Sequence, residues 1–193
     1  MAGQLIDLDP ELAYKHAKAA ASRAGRVDVV REASALTAYA AGHYEEALRE
    51  VRAMRRLRGD LSLRAIEADC ERGLGRPERA IEIIDQTDTS QLDLAEQVEL
   101  VLVSSGERAD LGQNEVGLVI VDDAIAALGE DADPEFLRRL MSVQADRLRE
   151  LGRDEEADQV EANIPEEEED PDIVDVGLFA DADVDDRRSP LKG

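Results

Sequence analysis

Nine arginines lie within residues 49–79, and their type and spacing give the clearest chemical signal in this chain. The same stretch holds six acidic residues, so its formal charge is 9 − 6 = +3, while the rest of the chain carries −26 of the total of −23. Arg49, Arg52 and Arg56 are spaced to lie on one face of a helix. A guanidinium binds a carboxylate through two parallel hydrogen bonds. The stretch therefore predicts a docking patch for a carboxylate-rich segment. The alternative is a solvated face whose arginines pair with neighbouring glutamates.

Side chains that usually bind metals or carry catalysis are few. The chain has two histidines, His16 and His43, and one cysteine, Cys70. A structural zinc site needs about four nitrogen or sulfur ligands, so we expect no metal site and no cofactor. The motifs of phosphate-binding loops, zinc hydrolases and nucleophile elbows are missing from the sequence. Acidic pairs such as Glu45 and Glu46 are expected to cap helices and aid solubility, since acid–base catalysis needs carboxylates that converge in a cleft. We therefore expect no catalytic residues and predict that the protein is not an enzyme.

The net charge of −23 limits the partners of this protein. It argues against direct binding to nucleic acid or to an anionic membrane, and it favours a basic partner surface. The first ten residues lack the basic and apolar regions of a signal peptide. No apolar run approaches the roughly 18 residues of a membrane span. Together these features predict a cytoplasmic protein.

A short pattern recurs along the chain and indicates how these residues are positioned. An apolar residue, a glycine, a turn residue, acidic residues and a small residue follow one another at 41–48, 74–81, 111–118 and 151–157, and a degenerate copy at 8–13 lacks the glycine. The small residues stand at 13, 47, 80, 117 and 157, which gives steps of 34, 33, 37 and 40. The glycine ends one helix and the residues after it begin the next. Another small residue stands seven positions before each glycine, so each copy predicts a tight helical hairpin.

This pattern resembles the tetratricopeptide repeat, a family whose unit is two antiparallel helices with small residues at their crossing points. The resemblance covers roughly residues 9 to 162 and is strongest at 27–86. Most of the family's bulky aromatic positions are absent, and Tyr44 is the best retained. The resemblance implies an all-α fold, a solenoid of stacked antiparallel hairpins.

The coarse assignment is about nine helices, and the two longer steps imply extended helices or loops near 105–112 and 129–133. The predicted helices are 10–24, 28–41, 44–57, 61–74, 77–86, 92–111, 114–128, 134–151 and 154–162. Two stretches, 98–103 and 116–121, are rich in β-branched residues and could instead be buried strands.

The resemblance also implies a concave groove, lined by the first helix of each hairpin, where members of the family bind partners. The lining positions that we take as candidate partner-binding residues are Leu36, Tyr39, Arg72, Arg139 and Arg149. Arg49, Arg52 and Arg56 join them from the arginine-rich stretch. A mixed groove with an apolar and an aromatic side chain suits an extended peptide or a partner helix.

The composition changes after Asn163, so we divide the chain into a repeat domain, 1–162, and an acidic tail, 163–193. The tail has 11 acidic and 3 basic residues, and its acidic run is expected to be disordered. An apolar island at 173–179 is either a stray cluster or a short docking motif. We hypothesise that the tail folds over the arginine-rich stretch and competes with a partner there.

The function predicted from these features is that of an adaptor or scaffold, which binds another protein through the groove or the arginine-rich stretch. Two alternatives remain open. One is an acidic decoy that occupies a nucleic-acid-binding protein by imitating phosphate charge. The other is an enzyme whose site is not recognisable from the sequence.

Overall fold

The computed structural model describes residues 5–24, 27–59, 61–129 and 131–166, and within them the fold is all-α, as predicted. The tail from 167 onward, with its expected disorder and its apolar island at 173–179, lies outside the described residues. The helices of the described residues are α1 Pro10–Ala24, α2 Asp28–Ala40, α3 Tyr44–Arg58, α4 Arg64–Gly73, α5 Pro77–Asp85, α6 Leu94–Asp110, α7 Asn114–Ala127, α8 Pro134–Glu150 and α9 Asp154–Glu161.

Glycine ends the first helix of each hairpin, and it does so in the same way four times. Gly42, Gly75, Gly112 and Gly152 have φ between 70° and 74°, the left-handed region that side chains disfavour. In each turn the N–H of the next residue donates to the carbonyl oxygen four residues before the glycine, as in His43 N to Ala38 O at 2.8 Å. This closes the last helical turn. The recurring sequence pattern is thus a recurring turn, and it makes hairpins of α2–α3, α4–α5, α6–α7 and α8–α9.

Small residues let the two helices of each hairpin approach closely. The pairs predicted to face each other are all buried, and they are Ala35 with Ala47, Ala68 with Ala80, Ser105 with Gly117, and Ala145 with Ala157. At the third crossing a β-carbon on Gly117 would lie 3.0 Å from the carbonyl oxygen of Ser105. Consecutive helices pack on one another, and the first helices also pack directly, α4 on α6 and α6 on α8. We call the surface formed by α2, α4, α6 and α8 the first-helix face.

The two β-branched stretches are helical, at 98–103 within α6 and at 116–121 within α7. Val98 and Val121 are buried together with Leu140 of α8. The two longer steps of the repeat are explained by α6 and α8, which have 17 residues each. The connection between α5 and α6, which contains the 3₁₀ turn Thr89–Gln91, also lengthens the step from 80 to 117.

The last described helix, α9, differs from the others in its polarity. Ala157 is its buried residue, and most of its other side chains are acidic or amide. Arg149 of α8 donates hydrogen bonds to Asp158 and Glu161 on α9. No helix of the described residues has the length and apolar character needed to cross a membrane.

We predict that Gly117→Leu destabilises the protein, because the new side chain must fit between Ser105 and the aliphatic part of Arg147. Overpacking of this kind lowers the free energy of unfolding by about 2 kcal/mol, which exceeds the gain of about 1 kcal/mol from replacing a helical glycine. Urea denaturation followed by circular dichroism measures the change. Ala126→Leu, at an exposed position of the same helix, is the control and should leave stability nearly unchanged. Equal stability of the two variants would contradict close packing at this crossing.

Candidate functional site

The candidate partner-binding residues lie on two different surfaces. Leu36, Tyr39, Arg72, Arg139 and Arg149 belong to the first helices, whereas Arg49, Arg52 and Arg56 all belong to α3, a second helix. The helix α4 separates the two groups. Residues two apart on a helix point to nearly opposite sides, so Glu67 of α4 contacts α3 while Asp69 contacts α2.

On the first-helix face, a chain of polar contacts joins α2, α4 and α6. The Tyr39 hydroxyl donates to Asp69 Oδ2 at 2.5 Å, and Arg72 Nε donates to Asp69 Oδ1 at 2.7 Å. Arg72 Nη1 also donates to Asp110 Oδ2 at 3.3 Å. Burial and the hydrogen bond to Asp69 raise the pKa of Tyr39, so its hydroxyl remains a donor. Two of the predicted groove residues are therefore brought together here, although both already have partners within the chain.

The carboxyl group of Glu107, which the sequence analysis missed, lies beside this chain of contacts. Its side chain is 0% exposed, and neither oxygen accepts a hydrogen bond from the described residues. Burial, reinforced by the charges of Asp69 and Asp110, raises its pKa to about 8, against the attraction of Arg72 Nε at 3.8 Å. An alignment of the repeat copies could have revealed it. Glu107 stands five residues before its glycine, where two other copies carry buried Thr37 and Cys70.

The other two arginines of the first-helix face tie neighbouring helices together. Arg139 of α8 forms a bidentate ion pair with Glu99 of α6, in which Nη2 donates to Oε2 at 3.0 Å. Arg149 pairs with α9, as described above. Leu36 is half-buried.

A small apolar cavity opens between the amino-terminal ends of α4 and α6, and we call it the α4–α6 pocket. Its volume is about 90 Å³. It is lined by Leu61, Leu63, Arg64, Ala65, Ile66, Leu92, Glu96 and Glu99. Leu63 has φ of 62°, the one positive φ at a non-glycine position among the described residues. All three leucines of the pocket, Leu61, Leu63 and Leu92, come from the connections between helices. Helical periodicity does not register residues in connections, so the sequence pattern does not reveal this pocket.

On the other side of α4, five arginines surround two buried carboxylates. Glu67 is 2% exposed and lies within 3.0 Å of guanidinium nitrogens of Arg52, Arg55 and Arg64. Glu71 is 0% exposed and lies 2.6 Å from Arg52 Nη2 and 2.9 Å from Arg76 Nε.

Arg79 is a third arginine near Glu71, with its Nη1 atom 4.0 Å from the carboxylate. We call Arg52, Arg55, Arg64, Arg76 and Arg79 with Glu67 and Glu71 the arginine cluster.

The remaining two arginine candidates of α3 are more exposed. Arg49 lies 3.3 Å from Glu46 and 3.7 Å from Glu50. Arg56 is exposed and forms no ion pair within the described part of the chain. Of the predicted patch, Arg52 is thus built into the interface between two hairpins, while Arg56 points to solvent.

The residues considered for metal binding or nucleophilic chemistry lie apart. Cys70 is buried, and burial raises the pKa of its thiol to about 12. His43 Nε2 lies 2.9 Å from Glu11 Oε1, and its ring centroid lies 4.3 Å from that of Tyr14. In the described ranges, no three His, Cys, Asp or Glu side chains are grouped so that they could hold a metal ion.

Comparison with known proteins adds no identification. No protein-family model matches the chain, and no curated protein matches it in sequence.

We predict that Glu107 makes stability fall with rising pH. The folded protein holds this proton up to a pH of about 8, whereas an ordinary carboxyl group releases it near 4.5. Between those values the folded state binds more protons, so its stability is highest below 4.5 and declines up to about 8. Glu107→Gln stays neutral and should remove the decline.

The free energy of unfolding of Glu107→Gln should exceed that of the native chain by about 1–2 kcal/mol at pH 8.5 and match it near pH 4.5. Urea titrations at several pH values measure this difference. Glu115→Gln, on the exposed side of α7, is the control and should show no such trend. A constant difference across the range would contradict a buried, protonated Glu107.

Arg52 and Arg56 should differ sharply in their contribution to stability. Arg52→Ala removes a partner from two buried carboxylates, and we expect a loss of about 2 kcal/mol because the other arginines compensate in part. Arg56→Ala removes an exposed side chain and should change stability by less than about 0.5 kcal/mol. Thermal and urea denaturation of the two variants provide the measurement. Similar losses would argue against the internal role of Arg52.

Proposed function

We propose that this chain is a protein-binding scaffold, similar to the tetratricopeptide-repeat family, that binds a peptide or a partner helix on its first-helix face. The observation that carries the proposal is the α4–α6 pocket, which opens between two first helices. A cavity of about 150 Å³ holds a benzene ring. A pocket of about 90 Å³ therefore suits one aliphatic side chain, such as that of leucine.

The charges around the pocket indicate the chemistry of the partner. Glu96 and Glu99 are the acidic residues of its lining. Arg64, the basic residue of the lining, is 6% exposed and its charge is balanced by a buried glutamate. Farther along the first-helix face, Asp110 is half-exposed and Asp146 is exposed. An acidic surface attracts a basic one and speeds its association. We therefore propose a partner segment that carries one aliphatic residue flanked by Lys or Arg.

The backbone at Leu63 supports a preformed pocket. A left-handed conformation at a non-glycine residue costs about 1–3 kcal/mol and persists only where its surroundings hold it. Leu63 is held because its side chain packs against the cluster of Ala35, Val51 and Met54. A wall fixed before binding reduces the loss of conformational entropy on association.

We propose that this protein acts in the cytoplasm and carries out no catalytic step. The acidic decoy makes a different prediction. It would bind through charge alone, so its binding would weaken steeply with salt and would not depend on the shape of one small pocket.

Ala65→Leu tests the proposal, because the larger side chain fills the pocket from its own wall. Losing the burial of one aliphatic side chain is worth about 1.5–3 kcal/mol, so partner binding should weaken roughly tenfold or more. Affinity capture from the native lysate, read by mass spectrometry, identifies the partner. Titration of the purified partner then gives the dissociation constant. Ala126→Leu, with the same change at an exposed position of α7, is the matched control.

A partner that binds the native chain and the control but not Ala65→Leu would support the scaffold. A partner retained equally by all three baits would contradict this site. Capture that depends on salt alone would favour the acidic decoy.

A further inference from the structure

The arginine cluster has more positive charge than its internal partners neutralise. Among the described residues five guanidinium groups share two carboxylates, Glu67 and Glu71, so the cluster carries 5 − 2 = +3. Each guanidinium has five N–H donors, and two carboxylates cannot accept them all. Arg56, which forms no ion pair within the described ranges, extends the positive surface along α3. The excess stands out in a chain whose net charge is −23.

The cluster is also held in place before any ligand arrives. The carboxylates are buried against α3 and α5. They accept two hydrogen bonds from Arg52 and form a close ion pair with Arg76. The outer parts of these side chains remain accessible, since Arg52 is 35% exposed, Arg76 41% and Arg79 62%. Guanidinium groups fixed in this way are suited to carboxylates, because less side-chain entropy is lost on binding.

The chain itself contains a segment with the complementary charge. Residues 166–186 hold 11 acidic residues and no basic one. We propose that this acidic segment binds the arginine cluster of its own chain. The inference is independent of the proposed function, because the accessible arginines of the cluster, Arg52, Arg76 and Arg79, lie outside the pocket lining. The one residue that both surfaces share, Arg64, is 6% exposed.

The length of the segment permits the contact. The described chain ends just after α9, which is separated from α5 by the four consecutive helix-to-helix steps α5–α6–α7–α8–α9. At about 8–10 Å for each step, the axes of α5 and α9 lie at most about 40 Å apart. The offset along the axes adds no more than the length of a 17-residue helix, about 25 Å. A segment of 21 residues spans up to about 70 Å when extended. The carboxylates of 166–186 can therefore reach the cluster without any change in the helices.

Charge distinguishes this occupant from the one proposed for the pocket. The acidic segment would be repelled by Glu96 and Glu99 at the α4–α6 pocket and attracted by the +3 of the arginine cluster. The two surfaces thus select ligands of opposite charge. The contact should weaken as salt rises, because exposed charges are screened over about 10 Å at 0.1 M salt.

A nitroxide spin label on Val176→Cys of the full chain tests the contact. Cys70 is 0% exposed, so the label attaches to the tail alone. We expect loss of intensity in the side-chain Nε–Hε NMR signals of Arg52, Arg76 and Arg79. The loss should be much smaller for Arg139, which pairs with Glu99 on the first-helix face. The signals should recover when the nitroxide is reduced.

Two further samples identify the cause. Replacing the 11 acidic residues of 166–186 by Asn and Gln leaves the helices unchanged, and it should abolish the loss of signal. A mixture of spin-labelled chains with isotope-labelled chains lacking the nitroxide should show no loss, because the contact is within one chain. Loss of signal in the mixture would show that the tail binds a second copy, and it would overturn the proposal. Undiminished signals in the single-chain experiment would also overturn it, and so would a loss of signal that persists in the amide variant. Each of these outcomes leaves the Ala65→Leu test of the scaffold unaffected.

Discussion

The close approach of the two helices in each hairpin is the constraint on which the rest of the structure depends. Crossing points made of Ala, Ser and Gly, such as Ser105 against Gly117, bring two backbones close together but bury little apolar area. Aromatic residues are 3% of the chain, and all three tyrosines lie in its first 44 residues. The contacts between successive hairpins must therefore draw on other interactions. At several of them the helices meet through charged side chains.

These charged contacts differ in how fully their buried carboxylates are compensated by arginines, and the difference follows from geometry. Glu67 and Glu71 lie one helical turn apart on α4 and share arginines from α3, α4 and α5, so their burial is compensated from several directions. Glu107 on α6 meets one guanidinium at 3.8 Å and two other carboxylates nearby, and it therefore keeps its proton to an unusually high pH. The first interface carries a positive excess and the second an acidic one. The two sides of α4 therefore carry opposite net charge, positive at the first interface and negative at the second.

Much of the fold could be predicted because it is encoded locally. The glycine at the end of each first helix and the small residues around it determine each turn and each crossing, and the repeat placed the valine-rich stretches within α6 and α7. The long-range contacts could not be predicted in this way. Whether Arg52 faces solvent or Glu71 depends on how two hairpins pack, and the spacing of residues on α3 is the same in either case. The α4–α6 pocket is formed partly by leucines in connecting segments, which have no periodicity to reveal them. Glu107 looks like any other helical glutamate until the repeat copies are compared.

The polarity of α9 has a consequence for assembly. A stack of similar hairpins presents at its end the kind of surface on which another hairpin would pack, and in principle a second molecule could supply that hairpin and begin a filament. Ala157 is the buried residue of α9, and Asp158 and Glu161 on its surface are already bound to Arg149. An incoming helix would have to desolvate these charges for little apolar contact in return. The described surface of α9 therefore disfavours the stacking of a hairpin from a second molecule upon it.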